Sequence, residues 1–218
     1  MSRQQILDTL RAGLAAAPLV VPAPPARPAS LPMGADAWAR LAEVLAPLDV
    51  RLRLAATPAE AAQHVADIAR ERAATSYTRW DDMPPGLDMD DALAGLSRVS
   101  DLGGGCCHAL AHVDLGLTFA HAALIDSGSL VLVAGRGRPR AASLLPPTHV
   151  CLVPRSALAP DVSALPGLLR GHADTAGLPP SCLNLVTGPS STADIELVLV
   201  RGVHGPGALD VVGLDWDI

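Results

Sequence analysis

VDLGLTFAHAALIDSGSLVLVAGRGRPRAASLLPPTHVCLV, residues 113–153, decides the fold. Leu117 to Ile125 reads as a strand, although its alanines also permit a helix. Asp126-Ser127-Gly128 is a turn, and Leu130 to Ala134 is an apolar strand. Gly135 to Arg140 is a basic, glycine-containing loop. Ala141 to Leu145 makes a helical turn that Pro146 and Pro147 stop, and Val150 to Val153 is another short apolar strand. Continuous short apolar runs between turn signals suit strands covered on both faces.

Upstream, Ser2 caps a short helix in which Ile6, Leu7, Leu10 and Leu14 recur at helical spacing. Pro18 to Pro32 is rich in Pro and Ala and reads as a stiff, extended linker. The chain therefore divides into a helical arm (1–17), a Pro-rich linker (18–35) and one domain (36–218). So short a helix is marginal alone in water, so the arm is expected to dock on its own domain or another subunit. Asp36 to Ala46 reads as a helix and Asp49 to Ala55 as a strand. Thr57-Pro58 opens a helix to about Arg72, with Glu60 in its first turn. Ala74 to Trp80 reads as a strand, Asp81 to Gly86 as a turn and Asp90 to Leu96 as a helix. Downstream, Ser156 to Arg170 is mostly helical in pattern, Leu183 to Val186 a strand, Thr192 to Arg201 a helix and Leu209 to Leu214 a strand. Such alternation predicts an α/β fold, a mixed or mostly parallel sheet with helices on both faces.

Half of the 218 residues are hydrophobic, enough for a sizeable core, and with only 2% aromatics that core must be Leu, Val and Ala. The net charge of −6 argues against a general nucleic-acid binder, which needs a basic face. All sixteen basic residues are Arg. Schiff-base chemistry and a Lys-dependent phosphate loop are thereby excluded. No secretory signal and no apolar run long enough to span a membrane are evident, which predicts a cytoplasmic protein. Cys106, Cys107, Cys151 and Cys182 form no disulfide framework.

Several constellations can carry chemistry. Thr187-Gly188-Pro189-Ser190-Ser191-Thr192 follows an apolar strand and opens the expected helix. Its hydroxyls would lie beside unpaired helix-start N–H groups, a geometry that binds anions. Ser191 with Asp194 also satisfies a capping box, which explains the same residues without a ligand. Asp126-Ser127-Gly128-Ser129 can present a carboxylate, and an ordinary hairpin turn favours the same residues. Arg136, Arg138 and Arg140 can clamp a carboxylate or phosphate, or form a solvated basic loop. Cys106, Cys107, His108, His112 and Asp114 match no standard zinc spacing, and no metal site is expected. His204, between helix and strand, can act as acid or base near neutral pH, or be merely solvated.

In order along the chain, several segments resemble the LUD-domain family (DUF162). These are Tyr77-Thr78-Arg79-Trp80-Asp81, Val113-Asp114-Leu115-Gly116-Leu117-Thr118, Asp126-Ser127-Gly128-Ser129-Leu130, Ser143 to His149, Gly188 to Glu196, and Gly202-Val203-His204-Gly205-Pro206. The resemblance covers about residues 36 to 215. It implies a fold similar to the glucosamine-deaminase, ribose-isomerase and CoA-transferase-like (NagB/RpiA) proteins. Family members of this size look like LutC, one of three proteins that together oxidise L-lactate to pyruvate. The resemblance thus implies a non-redox ligand-binding or assembly subunit. It would carry no cofactor itself, and LutA-like and LutB-like partners would hold the iron–sulfur clusters. A small anionic ligand and a homo-oligomer are compatible with it. The alternative is a stand-alone enzyme acting on a small carboxylate or phosphorylated metabolite. Asp126, Glu196 and His204 are the catalytic candidates. Thr118, Ser127, Gly128, Thr187, Gly188, Ser190, Ser191, Thr192 and Asp194 are the ligand-binding ones. The sequence departs from the family at Phe119 and His121, where a Gly and often an Asp are expected. The region around Cys106 and Cys107 has no family counterpart.

Overall fold

Helix α1 (Arg3–Ala16) opens the computed structural model, which describes residues 2–16, 36–84, 86–100, 107–173, 177–193 and 199–216. Ser2 caps it: its hydroxyl accepts from the Gln5 N–H while the Gln5 side chain accepts from the Ser2 N–H. Ile6 and Leu10 on this helix are exposed. The expected linker lies outside the described residues.

Next come α2 (Ala37–Leu45), β1 (Arg51–Ala55), α3 (Pro58–Glu71), β2 (Ser76–Arg79), α4 (Met89–Ala92), β3 (Ser97–Arg98) and β4 (Leu115–Phe119). As read from the sequence, Thr57 caps α3, its hydroxyl accepting from the Glu60 N–H, with Pro58 at the first position. Further on are β5 (Ala122–Leu124), β6 (Ser129–Val133), α5 (Ala141–Leu144), β7 (Thr148–Pro154), β8 (Leu158–Ala159), α6 (Leu165–Gly171) and β9 (Leu183–Val186). Last are β10 (Ser191–Ala193), β11 (Leu199–Arg201) and β12 (Ala208–Leu214).

The main sheet is parallel throughout, in the order β1-β12-β7-β4-β2-β3. One face buries Leu117, Leu152 and Val212 against Val65 and Ile68 of α3 and Met89 of α4. The other buries Cys151, Val153 and Val211 against Leu41 and Leu45 of α2. That second face also meets a smaller sheet, β8-β5-β6-β9, built round the antiparallel β5–β6 hairpin. The α/β class and the mostly parallel, doubly covered sheet agree with the sequence reading.

Three elements differ from expectation. The run Leu117 to Ile125 is two strands in different sheets. Ala120 makes the last bond to the main sheet, through the Leu152 carbonyl, and His121 makes the first to the small one, through Val131. Ser156 to Arg170 is not one helix. Pro160 interrupts it, Leu158 and Ala159 pair with β5, and only Leu165–Gly171 is α-helical. The described ends of Thr192 to Arg201 are not helical either. They pair as the antiparallel ladder β10–β11, closed where the Gly202 N–H meets the Ser190 carbonyl. Val200 is β-branched and favours a pleated ladder. No helix among the described residues is long and apolar enough to cross a membrane.

Gly116 in β4 sets how closely α5 lies on the sheet. A Cβ there would stand 1.8 Å from the Ala142 carbonyl oxygen. A methyl group must push α5 away, and overpacking of this kind costs about 1–3 kcal/mol or more. Gly116→Ala should therefore lower the urea midpoint strongly. Gly167→Ala on α6, where nothing lies within 4 Å of the new Cβ, should leave it unchanged or slightly raised.

Candidate functional site

The chain leaves β2 outward towards edge strand β3, and leaves β4 in the opposite direction, through the small sheet, towards β7. Loops that diverge from the carboxyl ends of adjacent parallel strands leave a crevice, the usual ligand position in such sheets. Here the crevice encloses about 310 Å³ between Asp82, Met83 and Pro84 after β2, Phe119, Ala120 and His121 after β4, and Pro154 and Ser156 after β7.

Trp80, only 1% exposed, packs behind the crevice residue Phe119, which stands edge-on to it at 5.4 Å between ring centroids. The Trp80 indole N–H donates to the Pro139 carbonyl, and the Asp81 N–H donates to that of Gly137. These bonds tie the Gly135–Arg140 loop to the end of β2. A tight turn at Gly137, at φ 74°, with Gly135 bridged to Arg138, sends the Arg138 side chain inward. Arg136 and Arg140 stay exposed. The loop's promise as an anion clamp thus rests on Arg138 alone.

Arg138 lies against two groups. Its Nε is 3.2 Å from the Asp82 carboxylate, and its Nη1 touches His121 Nε2. The other ring nitrogen, Nδ1, accepts from the Val133 N–H at 3.2 Å. His172, from the end of α6, packs edge-on against His121 at 4.7 Å. Burial, then His172 and Arg138, push the His121 imidazole down to about 3, so it is neutral at physiological pH. Beside the crevice, Arg79 grips Asp90 through two bonds of 2.7 Å, joined by Arg98 and the Tyr77 hydroxyl. Arg79, burial notwithstanding, holds the Asp90 carboxyl down at about 2.

A second pocket, about 370 Å³, lies at the amino ends of β1 and β12, lined by Asp49, Arg51, Glu71, Arg72 and Arg201. Its arginines are engaged. Arg51 and Arg72 hold buried Asp210, Arg51 also meets Glu71, and Arg201 pairs with Asp49. This end is a closed charge network.

The sequence-chosen residues fall in three places. Ser127, Gly128, Thr187 and Gly188 come together: Ser127 donates to Ser129, whose hydroxyl bonds Thr187 at 2.9 Å. Gly128, at φ 68°, packs on Leu45, and Gly188 lies near Leu48. Asp126 is exposed at this hairpin, its N–H bonded to the Pro160 carbonyl. Ser190 meets the 202–206 loop through Pro206 and Gly202, while His204 is exposed there. Ser191 donates to the Pro189 carbonyl, and Thr192 pairs with Val200 in the ladder. The anion cradle expected at a helix start is therefore corrected: those residues start a strand. Asp194 and Glu196 lie outside the described residues. Thr118 is buried in the sheet, bonded at 2.8 Å to His149. Asp114 receives the N–H and hydroxyl groups of Thr75 and Ser76, anchoring the start of β2. Sequence reasoning missed Asp82 and His172 and noted His121 only as a departure. The signal available was that His121 stands two residues after the end of a strand of the main sheet.

A family profile for the LUD domain matches residues 39–212. Over 93 residues the chain is 45% identical to Lactate utilization protein C of Halalkalibacterium halodurans, covering 43% of this chain and 40% of that relative. The Bacillus subtilis protein of the same name is 41% identical over 93 residues, 39% of its length. The match thus spans about two fifths of these relatives. A crystal structure of a DUF162-family protein from Deinococcus radiodurans superposes with a TM-score of 0.62 at 22% identity, covering 84% of this chain and 99% of that one. That likeness supports the fold.

Because the folded Asp90 carboxyl sits near 2, below its ordinary value, its contribution to stability is present above about pH 4 and is lost as pH falls through about 2. Asp90 is one-third exposed, so solvent screening reduces the contribution to about 1 kcal/mol. Asp90→Asn should lower stability to urea by that amount at pH 7, with the gap to wild type narrowing between about pH 4 and pH 2.

Proposed function

The chain belongs to the LUD-domain family, and on that premise we propose that it is the C-type subunit of a bacterial L-lactate utilisation system. The carrying observation is the 93-residue stretch, 41–45% identical to proteins named Lactate utilization protein C. In this reading the chain binds ligand or partners, while LutA-like and LutB-like iron–sulfur proteins carry the electrons removed from lactate.

The cysteine chemistry supports that division of labour. An iron–sulfur cluster needs thiolates, usually four. Burial in β7 pushes the Cys151 thiol up to about 12, which makes it a core residue. Cys106 and Cys107 are adjacent, and Cys182 lies far along the chain. In this reading the clusters sit in the partners, and the loops at the carboxyl ends of the sheet serve recognition.

A tagged copy recovered from lactate-grown cells should bring down cysteine-rich, iron-containing proteins. A deletion strain should grow poorly on L-lactate and normally on glucose. Recovery of the chain alone, with those proteins present and soluble, would overturn the subunit reading, as would normal growth of the deletion strain on lactate.

A further inference from the structure

Strand β9 ends the small sheet, and its outer edge is bare. In its antiparallel ladder with β6, the Ala134 N–H donates to the Cys182 carbonyl, so alternation turns the backbone groups of Cys182, Asn184 and Val186 towards β6. The N–H and C=O groups of Leu183 and Leu185 point the other way and meet no partner among the described residues. The Leu185 side chain is 50% exposed. Native sheets shield such edges with charge or keep them very short. Those devices guard the other edges of the two larger sheets. Strands β3 and β8 have two residues each. Strand β1 carries Arg51 and Arg53, and the His64 ring bonds its Leu54 carbonyl. Strand β9 has no such guard. It lies within Thr175 to Ala193, the longest stretch of the sequence without a charged residue.

We infer that β9 pairs, antiparallel and about a two-fold axis, with β9 of a second copy of this chain. One register uses every bare group. With Asn184 opposite Asn184 of the second copy, Leu183 exchanges both backbone bonds with Leu185 of that copy, and Leu185 with its Leu183. The two small sheets then become one continuous sheet. The leucines fall on one face, where Leu183 packs against Ala122, Leu124, Val131 and Ala159. Half-exposed Leu185 gains Leu183 of the second copy as a neighbour. On the opposite face the two Asn184 amides meet, each able to donate and to accept. Charge selects this occupant. Each copy carries a net charge of −6, so two copies repel wherever their charged surfaces meet. The uncharged edge is where they approach without that repulsion. A basic partner would be drawn instead to the acidic surface.

Strand pairing needs neither lactate nor redox partners, so it and the subunit reading can fail separately. The test is analytical ultracentrifugation of the full chain over a range of concentrations. A ladder this short should give a dimer that dissociates on dilution, with a Kd of about 10–100 μM. Leu185→Pro should abolish the dimer and keep the fold, since that N–H takes no part in the chain's own ladder. Should the variant fail to fold, Leu185→Lys decides, because a charge on the edge blocks pairing. Cross-linking reads the register. At a non-hydrogen-bonded position opposite Cα atoms stand about 4.5 Å apart, within disulfide reach. With Cys106, Cys107 and Cys182 replaced by Ser, Asn184→Cys should form an intermolecular disulfide on oxidation. Ser181→Cys in the same background, off the axis, should not. A monomer at all concentrations up to about 1 mM overturns the proposal, whether the α1 arm or a strand of another protein then meets the edge. Dimers that survive the Leu185 substitutions overturn it too, as does an Asn184→Cys variant that links no faster than Ser181→Cys.

Discussion

The carbonyl oxygen of Ala142 occupies the space where any side chain at residue 116 would stand. Much of the molecule depends on that contact. It lets α5 lie directly on β4 and β7, which keeps the preceding loop close to the sheet. Only from there can Pro139 and Gly137 accept hydrogen bonds from Trp80 and Asp81 at the end of β2. Those bonds hold Arg138 against Asp82 and His121, which line the crevice. A glycine that allows close approach in the core thus fixes a guanidinium behind two of the crevice residues.

The crevice also depends on a break in the chain's hydrogen bonding. Between Ala120 and His121 the backbone leaves one sheet and joins another. Val133 lies two residues past the partner of Ala122, where the β5–β6 ladder has ended, and its N–H is satisfied by the His121 ring. A strand transition therefore sets the orientation of the histidine, and Arg138 meets its other edge. At the far end of the sheet, by contrast, Arg51, Arg72 and Arg201 are consumed by Asp210, Glu71 and Asp49. Two pockets of similar size thus differ in kind: one is lined by paired charges and the other mostly by apolar side chains.

Much of the fold was legible because apolar runs such as Leu130 to Ala134 and Val150 to Val153 carry their burial in their composition. Thr57-Pro58 and Asp126-Ser127-Gly128 likewise state their cap and turn directly. The failures have a common cause. Leu117 to Ile125, Ser156 to Arg170 and Thr192 to Arg201 are segments whose local pattern permits helix or strand, and tertiary pairing decides between them. The site was less legible than the fold. Asp82, His121, Arg138 and His172 come from four separate segments, and no spacing rule joins them. Arg138 was flagged through its loop, and His121 through its departure from the family pattern at the mouth of β4. The hydroxyl-rich stretch from Thr187 to Thr192, the most conspicuous motif, spends its groups on turns and on the β10–β11 ladder.

The central claim is that His121 is a neutral Nε2–H donor held against Arg138 without an acceptor between them. Long-range proton–nitrogen NMR of the full chain, labelled at its histidine rings, reads that state directly. The account predicts that His121 shows the Nε2–H tautomer and remains uncharged from pH 7 down to about pH 5, in keeping with an imidazole pushed down to about 3. An Nδ1–H tautomer, or protonation at the ordinary pH of an exposed histidine, would contradict it.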